Sequence, residues 1–537
     1  MRTTRIRAAL PAIACLLWPA GALGTPTTIT ILHINDTHSH LDAFGPKDRS
    51  LDGTVGGLAK AATVIATLEA TDPNPVFVHA GDLFNGDAYF AAGLGPGGLP
   101  VLSVPEMQLL EGLGLEVLTL GNHEFGLGSA ALASVLSAAF QGSSPSVLTA
   151  NIDLAAAGLV GLAQPCVVKV VGGVRVGFFG MTALDFLSQG APFLARDLQG
   201  TLQIAAEQVA ALRDPANAAD VVIFLSHLGV DLDQVVAANV PGIDAVVGGH
   251  SHTVLYSPVM VAGPDGRTVP VVQAGEFYKW VGELTLEVEN GQVSLGGYRL
   301  VPVDAGVPRL PAVAAVVDQL QEGVDLRYGQ DVWHQPIARA LLDVAKDPPA
   351  RSPMRDSPVA DLVTDALRAR GGTDIALTAS GFVTEGLTRG PLVGDDAFRI
   401  VGDGIDPSGA GLGFPLYVVE LTGANLLAAL ETSLALGGDL SLQVSGMNYL
   451  YDSRRPAGSR LRSARVGGRP IDPARTYRAT VNLGVVQGLS AFPGVQLAGP
   501  PIPLGTSEYA AVRDWLSRLR VVLYFSHGRL IDLGMMR

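Results

Sequence analysis

The sequence predicts an α/β protein with two domains, and three observations carry that prediction. Residues 25–305 alternate short, wholly apolar runs with amphipathic segments, the pattern of strands buried on both faces between helices. Five of those runs close on Asp, His or Asn, where layered α/β sheets collect their ligands. From about residue 341 the texture changes to short strand-like runs among helices and Gly/Pro-rich turns, a second and smaller α/β domain. A chain of 537 residues is comfortable for two domains.

At the N-terminus Arg2, Arg5 and Arg7 precede the apolar run 8–18, and small residues follow at 20–24. Residues 1–24 therefore read as a secretory signal peptide, cleaved between Gly24 and Thr25. The apolar run is shorter than the ~20 residues that a membrane span needs. Export to the periplasm or the medium is the expectation. Cys15 leaves with the signal, so Cys166 stands alone and no internal disulfide is expected. No later stretch is apolar and long enough to span a membrane.

In the first domain the run 29–34 leads to Asp36-Thr37-His38, and 76–80 leads to Gly81-Asp82. The run 115–120 leads to Gly121-Asn122-His123-Glu124, 221–225 to Ser226-His227, and 245–247 to Gly248-Gly249-His250-Ser251-His252. Residues 58–68 and 201–212 are the expected helices between them. Pro302 and Pro308 mark a boundary, after which Val313, Val316, Val317 and Leu320 recur at helical spacing. The layout is then a domain at 25–305, a linker with a bridging helix at 306–340, and a domain at 341–537. In the second domain the expected elements are a helix at 359–369 and strands at 416–421 and 476–482. The stretch 91–98 reads as a loop.

Composition narrows the function. Hydrophobic residues make up 48% and charged ones 16%, enough for a large core and against wholesale disorder. A net charge of −14 argues against binding a nucleic-acid polymer. It leaves a phosphate-bearing small molecule open, because bound cations override the global charge locally.

Asp36, His38, Asp82, Asn122, His227, His250 and His252 combine carboxylate, imidazole and amide without thiolate. That set suits Zn²⁺, Mn²⁺ or Fe better than Ca²⁺. In Asp36-Thr37-His38 and His250-Ser251-His252 the donors stand at i and i+2, which an extended chain places on one face. So many ligands exceed what one tetrahedral ion takes, and two divalent ions sharing a carboxylate fit the inventory. Any one of these histidines alone would more simply be a core histidine; five converging strand ends are the argument.

These blocks resemble those of the calcineurin-like metallophosphoesterases. Together with the second domain they are similar to the family of 5′-nucleotidases, UDP-sugar hydrolases and 2′,3′-cyclic-nucleotide phosphodiesterases. The resemblance implies a β-sandwich flanked by helices, followed by a smaller substrate-binding domain. It implies that Asp36, His38, Asp82 and His252 hold one metal, that Asp82 bridges, and that Asn122, His227 and His250 complete the second. It implies metal-activated water attack on phosphorus, with His123 protonating the leaving oxygen. The substrate implied is a nucleotide-like phosphate ester.

Several family features are altered. Most relatives continue Asn-His-Glu-Phe-Asp, the Asp orienting the catalytic His; this chain has Gly126 there, and slower turnover is expected. Arg351 and Arg355 match a segment with phosphate-contacting arginines, and equally read as two arginines on a loop. The family's Asn-Gly-Gly-Gly-Ile-Arg stretch is Thr378-Ala379-Ser380-Gly381-Phe382-Val383, without its Arg. Phe492 aligns with a base-stacking Phe, and Phe414 or Tyr417 is its candidate partner across an insertion at 402–413. Cyclic-nucleotide or UDP-sugar hydrolysis is the alternative activity, and a catalytically weak ligand-binding relative the alternative class.

Overall fold

The computed structural model describes residues 26–92, 103–140, 142, 145–185, 187–329, 332–407 and 411–536. The segment expected to be a signal peptide, most of the loop expected at 91–98 and residues 408–410 of the expected insertion lie outside the described residues.

Two six-stranded mixed sheets face each other in the N-terminal half. The first runs Gln292–Pro302, Trp280–Glu289, Thr27–Ile34, Pro75–His79, Leu115–Thr119, Ser146–Leu148. The second runs Val259–Ala262, Thr268–Gln273, Ala245–Gly248, Val221–His227, Val174–Thr182, Cys166–Val171. Within each sheet four strands are parallel; an antiparallel pair closes one edge of the first sheet, and one antiparallel strand closes each edge of the second. Alternation explains why these strands carry no polar face. Ile29 and Ile31 meet Ile223 and Leu225 between the sheets, while Leu32 and Ile34 pack outward on helices. Val222 and Phe224 likewise face the helices Leu198–Arg213 and Val230–Asn239 on the other side.

The C-terminal half is built on a five-stranded sheet in the order Leu442–Ser445, Ile375–Ala379, Thr476–Asn482, Pro415–Thr422, Ile502–Ser507. Ser357, Thr422, Asn482 and Ser507 each cap a helix by accepting a backbone N–H at its first turn. The bridging helix is Pro311–Tyr328, started by proline at its first position. Its Val313, Val317 and Val324 join a buried cluster that continues from Leu32 and Ile34 through Phe84 and Tyr89 to Leu362, Phe398 and Leu516. The two halves therefore share one apolar core. No helix among the described residues is long and apolar enough to cross a membrane.

Candidate metal centre

The ends of five parallel strands converge at one edge of the sandwich and bring all seven candidate ligands together. The local geometry departs from the extended chain expected at the two i, i+2 pairs. Asp36, His38, His250 and His252 have φ of 50°, 48°, 73° and 51°, and Asp82 has 59°. Left-handed backbone in non-glycine residues costs on the order of 1–3 kcal/mol each and concentrates at functional sites. Here it falls on five of the seven candidates. The strands stop short of the ligands, and tight turns aim each side chain inward.

Asp36, His38 and His252 form one group of donor atoms and Asp82, His227 and His250 a second, each within 4.8 Å; His38, Asp82 and His123 form a third that overlaps both. Asn122 Oδ1 joins the second, 3.0 Å from both His227 Nε2 and His250 Nδ1. Asp82 stands between them, its Oδ2 2.9 Å from His227 Nε2 and 3.8 Å from His38 Nε2. Donors about 3 Å apart are spaced like the edges of a shell whose ligands lie ~2.1 Å from one ion.

The far sides of His38, His227, His252 and Asn122 are tied down. His38 Nδ1–H donates to Phe84 O at 3.0 Å, His227 Nδ1–H to Ala80 O at 2.6 Å, and His252 Nδ1–H to Glu276 at 2.6 Å. Each bond fixes the tautomer that turns the Nε2 lone pair toward the cluster. Asn122 Nδ2 donates to Asp185 at 2.7 Å, which presents its Oδ1. Glu124 accepts the N–H groups of Gly121, Asp82, Leu83 and Phe84 at 2.6–3.1 Å, joining the Asp82 loop to the turn that carries His123. Gly81 and Gly249 leave room for His227, since a Cβ at either would stand 2.6 or 2.8 Å from its Nδ1.

The electrostatics favour a bound cation. Burial opposes charge on His227, but Asp82 and Asp36 outweigh it and raise the ring to about 10. His252 is raised to about 10 in the same way, against its burial, by Asp36 and Glu276. Without metal the cluster holds protons that a divalent ion would displace. His33 and His79 lie in the same strands and are core histidines, pushed down to about 3 by burial.

His123 opens the short helical turn His123–Phe125, its Nε2 4.0 Å from Asp82 Oδ2. Burial disfavours the charged ring, yet Asp82, Asp403 and Asp185 together shift it upward. His123 and the cluster line a cavity of about 860 Å³ whose opposite wall comes from the C-terminal half, including Phe382, Asp403 and Leu440. Arg196 and Lys346 also line it. Four sequence candidates for substrate contact are absent from this wall. Arg351 is exposed elsewhere, and Arg355 lies near Tyr451 instead. Phe414 packs edge-on against Phe382, ring centres 5.3 Å apart. Phe492 lines a small apolar pocket with Val485 and Leu489 that adjoins the cavity, since Ala379, Phe382 and Leu440 line both.

The supporting residues Glu276 and Asp185 escaped sequence reading, although each follows a strand, Thr268–Gln273 or Val174–Thr182, as the ligands do. Glu106 lies deeper. Its carboxylate accepts from Tyr278 at 2.7 Å, Ser39 at 3.0 Å and Thr37 at 3.2 Å, bracing the Asp36–His38 turn. Burial pushes it up from 4.5 to about 7, against these three donors. The folded state thus keeps a proton that the unfolded chain gives up, and this contribution is complete below about pH 4 and lost as pH rises through 7. Glu106→Gln removes it. The melting temperature of Glu106→Gln relative to the parent should improve between pH 5 and pH 8, by up to about 3 kcal/mol of stability. A pH-independent difference would refute this.

Residues 29–254 match the calcineurin-like phosphoesterase family, and residues 338–496 match the C-terminal domain of 5′-nucleotidases. The structure of a 5′-nucleotidase precursor from Thermus thermophilus superposes with a TM-score of 0.78 at 30% identity, over 94% of this chain and 99% of that one. The chain belongs to the 5′-nucleotidase family. The 5′-nucleotidase of Bos taurus is 27% identical over 98% of this chain and 94% of its own, and that of Homo sapiens 28% over 97% and 93%. Members of this family are hydrolases of phosphate esters, and their metallophosphoesterase domain uses divalent metals. The carboxylate, imidazole and amide donors gathered here fit such ions.

Proposed function

We propose that the mature chain is an exported, dinuclear metal-dependent phosphoesterase that hydrolyses nucleotide-like phosphate esters. The observation that carries this reading is the pair of adjacent donor groups with Asp82 between them, 2.9 Å from His227 and 3.8 Å from His38, and His123 beside them at the cavity wall. Asp36, His38, Asp82 and His252 would hold one ion, and Asp82, Asn122, His227 and His250 the other. Zn²⁺, Mn²⁺ or Fe there supplies positive charge for the phosphoryl oxygens and a nucleophile at neutral pH.

The protein's own residues do the rest. His123 faces the cluster with a proton to give and serves the leaving oxygen as general acid. Arg196 and Lys346 replace the paired arginines expected at 351 and 355 as the cations nearest the substrate's other charges. Phe382 and Leu440 give the cavity an apolar wall for a base or another flat leaving group. Export rests on residues 1–24 of the sequence.

Residues 25–537, reconstituted with Mn²⁺, Zn²⁺ or Co²⁺, should hydrolyse one or more of AMP, UDP-glucose, 2′,3′-cyclic AMP, bis-p-nitrophenyl phosphate and p-nitrophenyl phosphate. His123→Ala should lose that turnover while keeping its metal. The rank order of substrates selects the branch of the family. Two equivalents of metal with no hydrolysis in the panel would overturn the catalytic reading in favour of a binding protein.

A further inference from the structure

Relatives orient the general acid with an Asp three residues after it, and Gly126 leaves that position without a side chain. The space is nevertheless filled. A Cβ built on Gly126 would lie 3.9 Å from Nδ2 of Asn85, and that amide sits 3.2 Å from Nδ1 of His123. Asn85 is 2% exposed and belongs to the Asp82 loop, whose Leu83 and Phe84 N–H groups are held by Glu124. Glu124 thus ties the loop to the His123 turn. Asn85 has φ 67°, a conformation that Asn tolerates better than other side chains except Gly.

We propose that Asn85 is the positioning residue for His123, taking from the neighbouring loop the place of the missing Asp. This rests on the catalytic role given to His123 above. The Asn85 amide nitrogen faces His123 Nδ1, and its Oδ1 is buried without a hydrogen-bond partner. The two ends of an amide exchange by a half-turn. Turned so, Oδ1 accepts from Nδ1–H and the ring presents Nε2 toward Asp82 and the leaving oxygen. The bond is neutral where an Asp would make it charge-assisted, which accounts for tolerating Gly126 at reduced strength.

The test is a relocation. Asn85→Gly removes the amide without straining the left-handed backbone. It should lower kcat on AMP or p-nitrophenyl phosphate about 10- to 100-fold, with KM and metal content within about twofold of the parent. Gly126 has φ −58° and ψ −29°, ordinary for any residue, so Asn85→Gly/Gly126→Asp can supply a carboxylate from the family's position. The double variant should recover at least about tenfold. Asn85→Asp, a second route, should keep kcat within about tenfold of the parent while Asn85→Gly does not. Parental kcat in Asn85→Gly would overturn the assignment, as would a loss that tracks missing metal and resists Gly126→Asp. Turnover that survives His123→Ala would instead overturn the catalytic reading itself.

Discussion

Asp82→Asn is expected to abolish hydrolysis and to lower the metal bound per chain. Its carboxylate stands between the two donor sets, 2.9 Å from His227 and 3.8 Å from His38. Asn keeps the shape of the side chain but removes the negative charge that two cations would share. Cations in such sites supply several kcal/mol to the transition state, and about 1.4 kcal/mol is a factor of ten, so kcat should fall by about 10³ or more. Asp185→Asn makes the contrast. It touches Asn122 from outside, through a bond of 2.7 Å, and should cost only about 10- to 100-fold. Elemental analysis with steady-state kinetics on both variants checks the order. Equal losses, or full activity in Asp82→Asn, would remove Asp82 from the centre of the mechanism.

That ordering of effects also describes what the sequence made readable. A ligand at a strand end announces itself because a wholly apolar run stops and a metal-binding residue follows within a few positions. Hence Asp36, Asp82, Asn122, His227 and His250 stood out, and the sandwich with them. The supports did not, because their meaning lies in partners far along the chain: Glu276 in His252 across the site, Asp185 in Asn122, Glu106 in Tyr278. Asn85 is three residues from Asp82, yet nothing local says that it reaches His123. The turns were misread as extended since a run of polar residues carries no mark of left-handed backbone. The wall opposite the cluster is the least readable part. Arg351, Arg355 and Phe492 match family segments and Phe414 or Tyr417 is a candidate partner for Phe492, whereas the cavity lining includes Phe382, Leu440, Arg196 and Lys346. Which loops face the cluster depends on how the two halves pack, and no local pattern encodes that.

That packing is held by a charge cluster with no sequence signature, and Arg399→Met should expose it. Arg399 is 2% exposed; its Nε lies 2.8 Å from Asp87 and 2.9 Å from Asp395, and its Nη2 lies 2.8 Å from Asp42. The three carboxylates are grouped closely enough to resemble a cation site, and the guanidinium occupies that role. Asp42 and Asp87 come from the N-terminal half, Asp395 and Arg399 from the C-terminal half. The His40–Glu385 pair at 2.7 Å and the Lys47–Asp396 pair at 3.1 Å cross the same boundary. Removing one partner from a buried ionic group typically costs about 3–5 kcal/mol, because the remaining charges stay buried and uncompensated. Burial already raises Asp87 and Asp395 despite Arg399, so in Arg399→Met they should rise further. Folded-state pKa values above the unfolded ones mean that the folded form binds more protons, and stability then falls as pH rises. The deficit of Arg399→Met should therefore be larger at pH 8 than at pH 5, read as a lowered melting temperature. Asp395→Asn in the same background should recover part of it by removing one stranded charge. If Arg399→Met melted like the parent at both pH values, the shared apolar core alone would be holding the halves together. A deficit that shrank as pH rose would contradict the charge argument while leaving the packing intact.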